Sequence, residues 1–197
     1  MEDEQFSGEE SLRLIQSMIN RAQDKFAENG HLYLLWGWVV FVCSLTQFGL
    51  QRIFHLSPEN TWMVWLLTWV ALIYQIAYIR QKRRKLEVRT YTQDIVSYVW
   101  IVFGISTILM AFILGTNNQP MLVNPVLLVS YGIPTFLSGI IIRFRPLIWG
   151  AVFCWVLAVI CSQLKTDLQL VLIALAVLLA WIIPGYQLRN KFKQTNS

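Results

Sequence analysis

This chain has 197 residues, of which 56% are hydrophobic and only 14% are charged. A soluble domain of this length would be about a quarter charged, so the composition excludes an ordinary soluble protein. The net charge of +5 does not indicate nucleic-acid binding, because the basic residues cluster at the ends of apolar segments, as membrane insertion requires.

The N-terminal 30 residues predict an acidic tail followed by a cytoplasmic amphipathic helix. The chain begins MEDEQ and has no apolar core before about residue 32, so we expect no cleavable signal. Ser7 to Glu10 matches a capping box, and Asn29-Gly30 predicts a left-handed helix end. Apolar residues recur at the three- and four-residue steps of a helix face. They are Leu12, Ile15, Ile19, Ala22 and Phe26.

Six apolar stretches then predict an all-α membrane domain over residues 31–190, followed by a basic tail at 191–197. Each stretch approaches the roughly 17–25 residues that cross a bilayer core as a helix. The predicted spans are approximately 32–53, 61–79, 95–115, 121–142, 147–164 and 168–188.

The positive charges orient these spans. Of the 16 lysines and arginines, only Arg52, at the end of the first span, and Lys165, in the last loop, lie on the external side when the N-terminus is cytoplasmic. Basic residues stay on the cytoplasmic side during insertion, so both termini are expected there, in a bacterial inner membrane. The other fourteen are Arg13, Arg21 and Lys25; Arg80, Lys82, Arg83, Arg84, Lys85 and Arg89; Arg143 and Arg145; and Arg189, Lys191 and Lys193.

The external loops are short, near residues 54–60, 116–120 and 165–167, which predicts three antiparallel helix hairpins. A weak repeat accompanies them, with a Trp near the inner end of each first helix and a basic pattern after each second helix. A threefold repeat and simple convergence of cytoplasmic helix ends both explain this pattern.

No Asp, Glu, Lys, Arg or His residue falls in the middle third of any predicted span. Proton relays and ion-coupled sites depend on such residues. His31 and His55 lie at opposite membrane faces, and Cys43, Cys154 and Cys161 lie in apolar segments without metal-ligand spacing. We therefore expect no catalytic residues, no metal site and no cofactor, and a protein that is not an enzyme.

The fourth span is the most irregular. Gly132 and Pro134 interrupt its middle, and such interruptions either form a kink satisfied by nearby hydroxyls or line a binding cavity. Gln47 and Gln75 could complete a polar contact between helices or a site for a neutral ligand. The candidate cavity-lining residues are Gln47, Gln75, Ser130, Tyr131, Gly132, Pro134 and Thr135.

Three further surfaces predict contacts. Small residues at four-residue spacing favour close helix packing, within one bundle or in a homo-oligomer; they are Gly150, Cys154, Ala158 and Ser162, and Thr107, Ala111 and Gly115. The basic run is a topogenic anchor and a candidate for lipid headgroups, through Arg80, Lys82, Arg83, Arg84 and Lys85. The amphipathic helix has a mixed polar face that favours protein contact, and its docking candidates are Leu12, Ile15, Ile19 and Phe26.

The segment from Glu10 to Ile15, the Leu34-Leu35-Trp36-Gly37-Trp38 run and Tyr131-Gly132-Ile133-Pro134-Thr135 carry a resemblance. The whole chain resembles small, Trp-rich, six-helix inner-membrane proteins of Bacteroidota-type bacteria, and the resemblance implies no activity. The three-hairpin layout is also similar, in topology only, to acid-resistance membrane proteins of the HdeD type.

The sequence therefore predicts a non-enzymatic membrane anchor or regulator that acts through its cytoplasmic helix and basic loop. Its expected partners are the lipid bilayer, a cytoplasmic protein and a second copy of the chain, and not nucleic acid. The alternative is a small channel or carrier for a neutral or apolar solute, lined by the fourth helix.

Overall fold

The computed structural model describes the backbone of residues 8–83 and 91–195 and the side chains of residues 30–57, 60–81 and 95–190. Over these residues the chain is helical and has no strand, which confirms the predicted all-α class. A 3₁₀ turn precedes α3 at Trp62–Trp65, another precedes α5 at Pro120–Leu122, and a π-helical turn at Leu178–Ile182 joins α7 to α8. The α-helices are α1 (Gly8–Arg52), α2 (Pro58–Thr61), α3 (Leu66–Arg83), α4 (Tyr91–Thr116), α5 (Val123–Ile141), α6 (Arg145–Cys161), α7 (Thr166–Val177) and α8 (Ile183–Thr195).

Five helical segments are long and apolar enough to cross a membrane. They are Gly30–Arg52, Trp62–Gln81, Ile95–Thr116, Pro120–Ile141 and Thr166–Asn190. The remaining apolar helix, Arg145–Cys161, has 17 residues. At 1.5 Å per residue it is about 26 Å long, slightly less than the roughly 30 Å of a bilayer core. Each segment overlaps one of the six predicted spans.

The first helix does not end at Asn29-Gly30, so the predicted left-handed stop is wrong. α1 is continuous from Gly8 to Arg52, and none of the described glycines has a positive φ. Gly30 lies against α8, since a Cβ added there would be 3.4 Å from the carbonyl oxygen of Gly185, an ordinary van der Waals distance. The predicted boundary at residue 30 therefore falls inside one helix, at its contact with α8. Ser7 of the predicted capping box lies outside the described residues.

α1 packs antiparallel against the last helical segment, residues 166–195. Gly30 lies beside Gly185 near the C-terminal end of that segment. At the other end of α1, an Arg52 guanidinium nitrogen lies 3.6 Å from the Asp167 carboxylate. Because the contacts run in opposite orders along the two segments, the first and last membrane-compatible helices are antiparallel neighbours.

α5 and α6 make the most extensive helix contact in the described chain. Gly139 of α5 allows Leu147 and Ile148 of α6 to approach its backbone. On its other side α6 meets the π turn, where a Cβ added at Gly150 would lie 2.6 Å from the Cα of Ala180. One predicted small-residue stripe is therefore largely used inside the bundle, since Gly150, Cys154 and Ala158 are buried and only Ser162 is exposed.

α3 and α4 lie at the edge of the bundle. α3 packs on α1, and α4 packs chiefly on α5. Ala71 is the only buried residue of Trp62–Gln81 and Val96 the only one of Ile95–Thr116, whereas 61% of the most apolar 18-residue stretch of Thr166–Asn190 is buried. Large apolar side chains are exposed along both helices, among them Trp69, Val70, Ile73, Ile108, Phe112 and Ile113. So large an apolar surface is suited to contact with lipid chains.

The turn between α5 and α6 is short because α5 ends at a residue in the left-handed region. Arg143 has a φ of 56°, and the Phe144 N–H donates to the Gly139 carbonyl at 2.8 Å. This is the 6→1 bond of a Schellman motif, in which glycine is the favoured residue. Asn118, with a φ of 54°, ends α4 in a similar way.

A buried glutamine joins the segments at the end of the bundle where α6 stops and α7 begins. Gln169 is 1% exposed. Its Nε2 group, which has two hydrogens, lies 3.0–3.2 Å from the carbonyl oxygens of Met121, Cys161 and Leu164. Its Oε1 accepts from Asn124 Nδ2 at 3.1 Å. The Met121 carbonyl lacks the usual helical donor because the residue four positions later is proline, so Gln169 compensates for helix ends that the backbone leaves unpaired.

Candidate functional site

The Tyr131–Thr135 stretch of α5 has most of its side chains buried. Gly132 leaves room for Trp155 of α6, because an added Cβ would overlap the indole. In that position the Trp155 Nε1 donates to the Val129 carbonyl at 3.2 Å. Pro134 removes one backbone N–H from the helix, but α5 continues through it as one helix.

Five aromatic rings meet beside this stretch and connect α1, α4, α5 and the π turn. The closest pair is Tyr131 and Trp181, whose ring centroids are 4.8 Å apart. Trp100 lies 5.9 Å from Trp181 and 5.6 Å from Tyr33, and Phe103 lies 5.8 Å from Tyr131. We call these residues the aromatic cluster. Tilted and edge-to-face contacts of this kind add to the stabilisation that burial provides.

Hydroxyl groups border the aromatic cluster. The Trp181 Nε1 donates to Thr135 Oγ1 at 2.9 Å, and Thr135 Oγ1 donates to the Tyr131 carbonyl at 2.7 Å. The hydroxyls of Tyr33 and Ser138 are also buried, and they lie close to each other. Because the aromatic cluster and its hydroxyls carry no formal charge, the arrangement can form hydrogen bonds and pack against apolar groups, and it holds no ionised group for proton transfer.

The bond between Trp181 and Thr135 gives a first testable prediction. Trp181→Phe should lower the thermal unfolding midpoint, because it removes the indole donor and shrinks a side chain that is 2% exposed. In a double-mutant cycle with Thr135→Val, we expect a coupling energy of about 1 kcal/mol, within the range measured for hydrogen bonds between membrane helices. Strictly additive effects would contradict this bond. Trp149→Phe is the control, because Trp149 is 64% exposed.

The predicted cavity-lining residues do not surround one space. The two amides lie between α1 and the segment Trp62–Gln81. Gln47 Oε1 accepts from Trp65 Nε1 at 2.6 Å, and Gln75 Oε1 accepts from Trp36 Nε1 at 2.5 Å. The α5 residues lie elsewhere, against α4, α6 and the π turn. Of the two hypotheses for the amides, these bonds favour a polar contact between helices.

Two recesses among the described residues adjoin α5. A shallow apolar groove of about 250 Å³ on the bundle surface lies between α5 and α6, and Pro125, Val126, Val129, Ala158, Val159 and Ser162 line it. A much smaller recess lies between α4 and α5 and includes Ser130 and Thr107. Neither recess is lined by Tyr131, Gly132, Pro134 or Thr135.

The docking and headgroup candidates are only partly described. The docking candidates belong to the helical backbone of α1, but the side chains of Leu12, Ile15, Ile19 and Phe26 lie outside the described residues. Arg80 is exposed near the end of α3. The other basic candidates also lie outside the described side chains, namely Lys82, Arg83, Arg84 and Lys85.

The described side chains contain no group of three or more His, Cys, Asp and Glu residues that could hold a metal ion. His31 instead makes ring contacts with Tyr78 at 5.1 Å and with Tyr74 at 6.5 Å. Cys43, Cys154 and Cys161 are free and buried, as expected for thiols in apolar segments.

Sequence reasoning missed two kinds of polar contact. It used the tryptophans as part of a repeat near the inner helix ends, whereas five indole N–H groups donate to another segment: those of Trp36, Trp38, Trp65, Trp155 and Trp181. It also passed over Gln169. An uncharged amide inside an apolar span was the available signal, and it was used for Gln47 and Gln75 but not for Gln169.

Comparison of the chain with known proteins gives no match to a family model, to a curated protein or to a solved structure.

Proposed function

We propose that the protein is a non-enzymatic anchor or regulator of the bacterial inner membrane that acts through its cytoplasmic helix and basic loop. In this proposal the chain crosses the bilayer six times as three hairpins, with both termini in the cytoplasm. The distribution of basic residues supports the orientation, since only Arg52, the last residue of α1, and Lys165 would lie on the external side among the 16 lysines and arginines.

The continuity of α1 is the observation that carries this proposal. α1 has 45 residues, and its membrane-compatible part, Gly30–Arg52, has 23. The part before Gly30 is about 33 Å long at 1.5 Å per residue. Because no break separates the two parts, force or displacement at the N-terminal half is transmitted directly into the bundle.

The packing around Gly30 supports such coupling. An added Cβ at Gly30 would lie 3.6 Å from the Arg189 backbone nitrogen as well as 3.4 Å from the Gly185 oxygen. α1 and α8 are therefore in close backbone contact at Gly30. A partner bound to the N-terminal half of α1 would act at the junction of the first and last spans.

The basic loop would complement this helix. Arg80 is exposed near the end of α3, and the following residues include Lys82, Arg83, Arg84, Lys85 and Arg89. Each basic residue near an anionic membrane surface contributes about 1 kcal/mol of attraction. The loop would thus hold the cytoplasmic face of the bundle against anionic lipid headgroups.

The docking role is tested by crosslinking in native membranes, followed by purification of the chain. The double variant Ile15→Glu and Ile19→Glu places charges on the apolar face of the helix, so we expect it to lose a stoichiometric protein partner that the unmodified chain retains. A matched control, Ser17→Glu and Asn20→Glu, adds the same charge on the opposite face and should retain that partner. An identical crosslinking profile for all three proteins would refute the docking role.

The alternative function, a channel or carrier for a neutral or apolar solute, has less support. It requires a path beside Tyr131–Thr135, where the described side chains pack against the aromatic cluster and Trp155. Solute-flux assays on variants of α5 would test it directly.

A further inference from the structure

A small recess between α4 and α5 contains an unsatisfied hydroxyl group. Thr107, Met110, Ala111, Leu114, Val123, Val126, Leu127 and Ser130 line it. The Thr107 Oγ1 atom is buried and has no hydrogen-bond partner. A buried hydroxyl without a partner is costly, most of all in the apolar interior of a membrane.

Ser130, on the opposite wall, can still accept hydrogen bonds. Its hydroxyl donates to the Val126 carbonyl at 2.9 Å, and its Oγ lies 3.6 Å from Met110 Sδ. The single hydrogen of this hydroxyl is thus engaged by the backbone, whereas its oxygen lone pairs remain available. The recess therefore combines one hydroxyl that needs a partner with one oxygen that can accept.

The size of the recess selects its occupant. It offers the centre of a water molecule about 10 Å³, which corresponds to room for one water. A lipid chain or a larger solute does not fit in this volume. We propose that one structural water occupies the recess and bridges Thr107 Oγ1 and Ser130 Oγ.

This water would link α4, the membrane-compatible helix with the smallest buried share, to α5. Val96 is the only buried residue of the membrane-compatible segment of α4, and α5 provides most of its contacts. Trp100 and Phe103 attach α4 to the aromatic cluster, and the bridge would attach it further along, one to two turns after those rings. The inference is independent of the proposed docking function.

The direction in which one substitution shifts the thermal unfolding midpoint tests the proposal. Thr107→Val keeps the shape of the side chain and removes the hydroxyl. If a water is bound, this variant loses the bridge, and its thermal unfolding midpoint in lipid nanodiscs should fall by about 2–4 °C. If the recess is dry, the variant loses only an unsatisfied polar group, and its midpoint should stay the same or rise. The latter result would overturn the proposal.

Two controls separate the bridge from a general effect on α4. Thr116→Val is the same change on the same helix, at an exposed threonine whose hydroxyl bonds to the Phe112 carbonyl at 3.0 Å, and it should change the midpoint less. In the Thr107→Val background, Ser130→Ala should lower the unfolding midpoint by less than it does in the unmodified chain, because the bridge is already lost. If the two substitutions lower the midpoint additively, a shared water is contradicted.

A second measurement does not depend on any variant folding. A density map of the unmodified protein in nanodiscs, at a resolution that shows ordered waters, should contain a peak within hydrogen-bond distance of Thr107 Oγ1 and Ser130 Oγ. A map that resolves other waters but leaves this recess empty would refute the bridge.

Discussion

Gln169→Leu is expected to destabilise the protein by about 3 kcal/mol, because several buried polar groups would lose their partners at once. The Gln169 amide lies within 3.0–3.2 Å of three carbonyl oxygens and accepts from Asn124. In an apolar interior no water replaces these bonds. Leucine fills a similar volume, so the loss would report the hydrogen bonds more than the packing. Denaturant or thermal unfolding in a lipid nanodisc measures the change.

Gln163→Leu is the matched control for this prediction. Gln163 lies in the turn after α6 and is exposed, and its side-chain amide donates to Ser162 Oγ at 3.2 Å. Removing it should change the unfolding free energy by no more than about 0.5 kcal/mol, as is usual for surface substitutions. If Gln169→Leu were equally mild, Gln169 would not be joining α5, α6 and α7.

Gly150→Ala is expected to lower the free energy of unfolding by about 1–3 kcal/mol, because the added methyl group overpacks the contact. An added Cβ would lie 2.6 Å from the Cα of Ala180 and 3.1 Å from the Leu179 carbonyl oxygen. Both contacts are with backbone, so no side chain can rotate away to relieve them. α6 would have to separate from the π turn, which should lower the unfolding midpoint.

Gly104→Ala provides a control of opposite sign. Gly104 lies in α4, and nothing is within 4 Å of a Cβ added there. Alanine favours a helix over glycine by up to about 1 kcal/mol, so this variant should be as stable as the unmodified chain or more stable. If Gly104→Ala lowered the stability as much as Gly150→Ala does, α4 would have a neighbour in the membrane that the single chain lacks.

The positions of the helices could be predicted because length and apolarity decide them. An apolar run near 20 residues long satisfies its backbone in lipid only as a helix, which placed the segments at Ile95–Thr116 and Thr166–Asn190 close to their predicted limits. The role of Gly30 could not be predicted in this way. A glycine that ends a helix and one that lies inside a helix look alike in sequence, and only the continuous α1, with Gly30 packed beside Gly185, distinguishes them.

The polar contacts of the bundle were harder to predict because their partners are distant in sequence. Gln169 meets the Met121 carbonyl 48 residues away, and Trp181 meets Thr135 46 residues away. A backbone carbonyl carries no signature in a single sequence, so nothing marked Met121 as an acceptor. The sequence predicts that the fourth span is the most irregular, but α5 runs through Gly132 and Pro134 as one helix, and a π turn lies instead in the last segment, at Leu178–Ile182. Whether Gly132 and Pro134 line a cavity or admit Trp155 depends on α6, which local sequence does not specify.

The most direct test of the account is the topology of the chain in its membrane. Single cysteines introduced as His55→Cys, Asn118→Cys and Asn190→Cys would be treated with a membrane-impermeant thiol reagent in intact cells. The native cysteines are buried and should contribute little labelling. The account predicts that the cysteines at positions 55 and 118 are labelled from outside and that the cysteine at position 190 is labelled only after the membrane is permeabilised. Labelling of position 190 in intact cells would contradict six crossings with cytoplasmic termini.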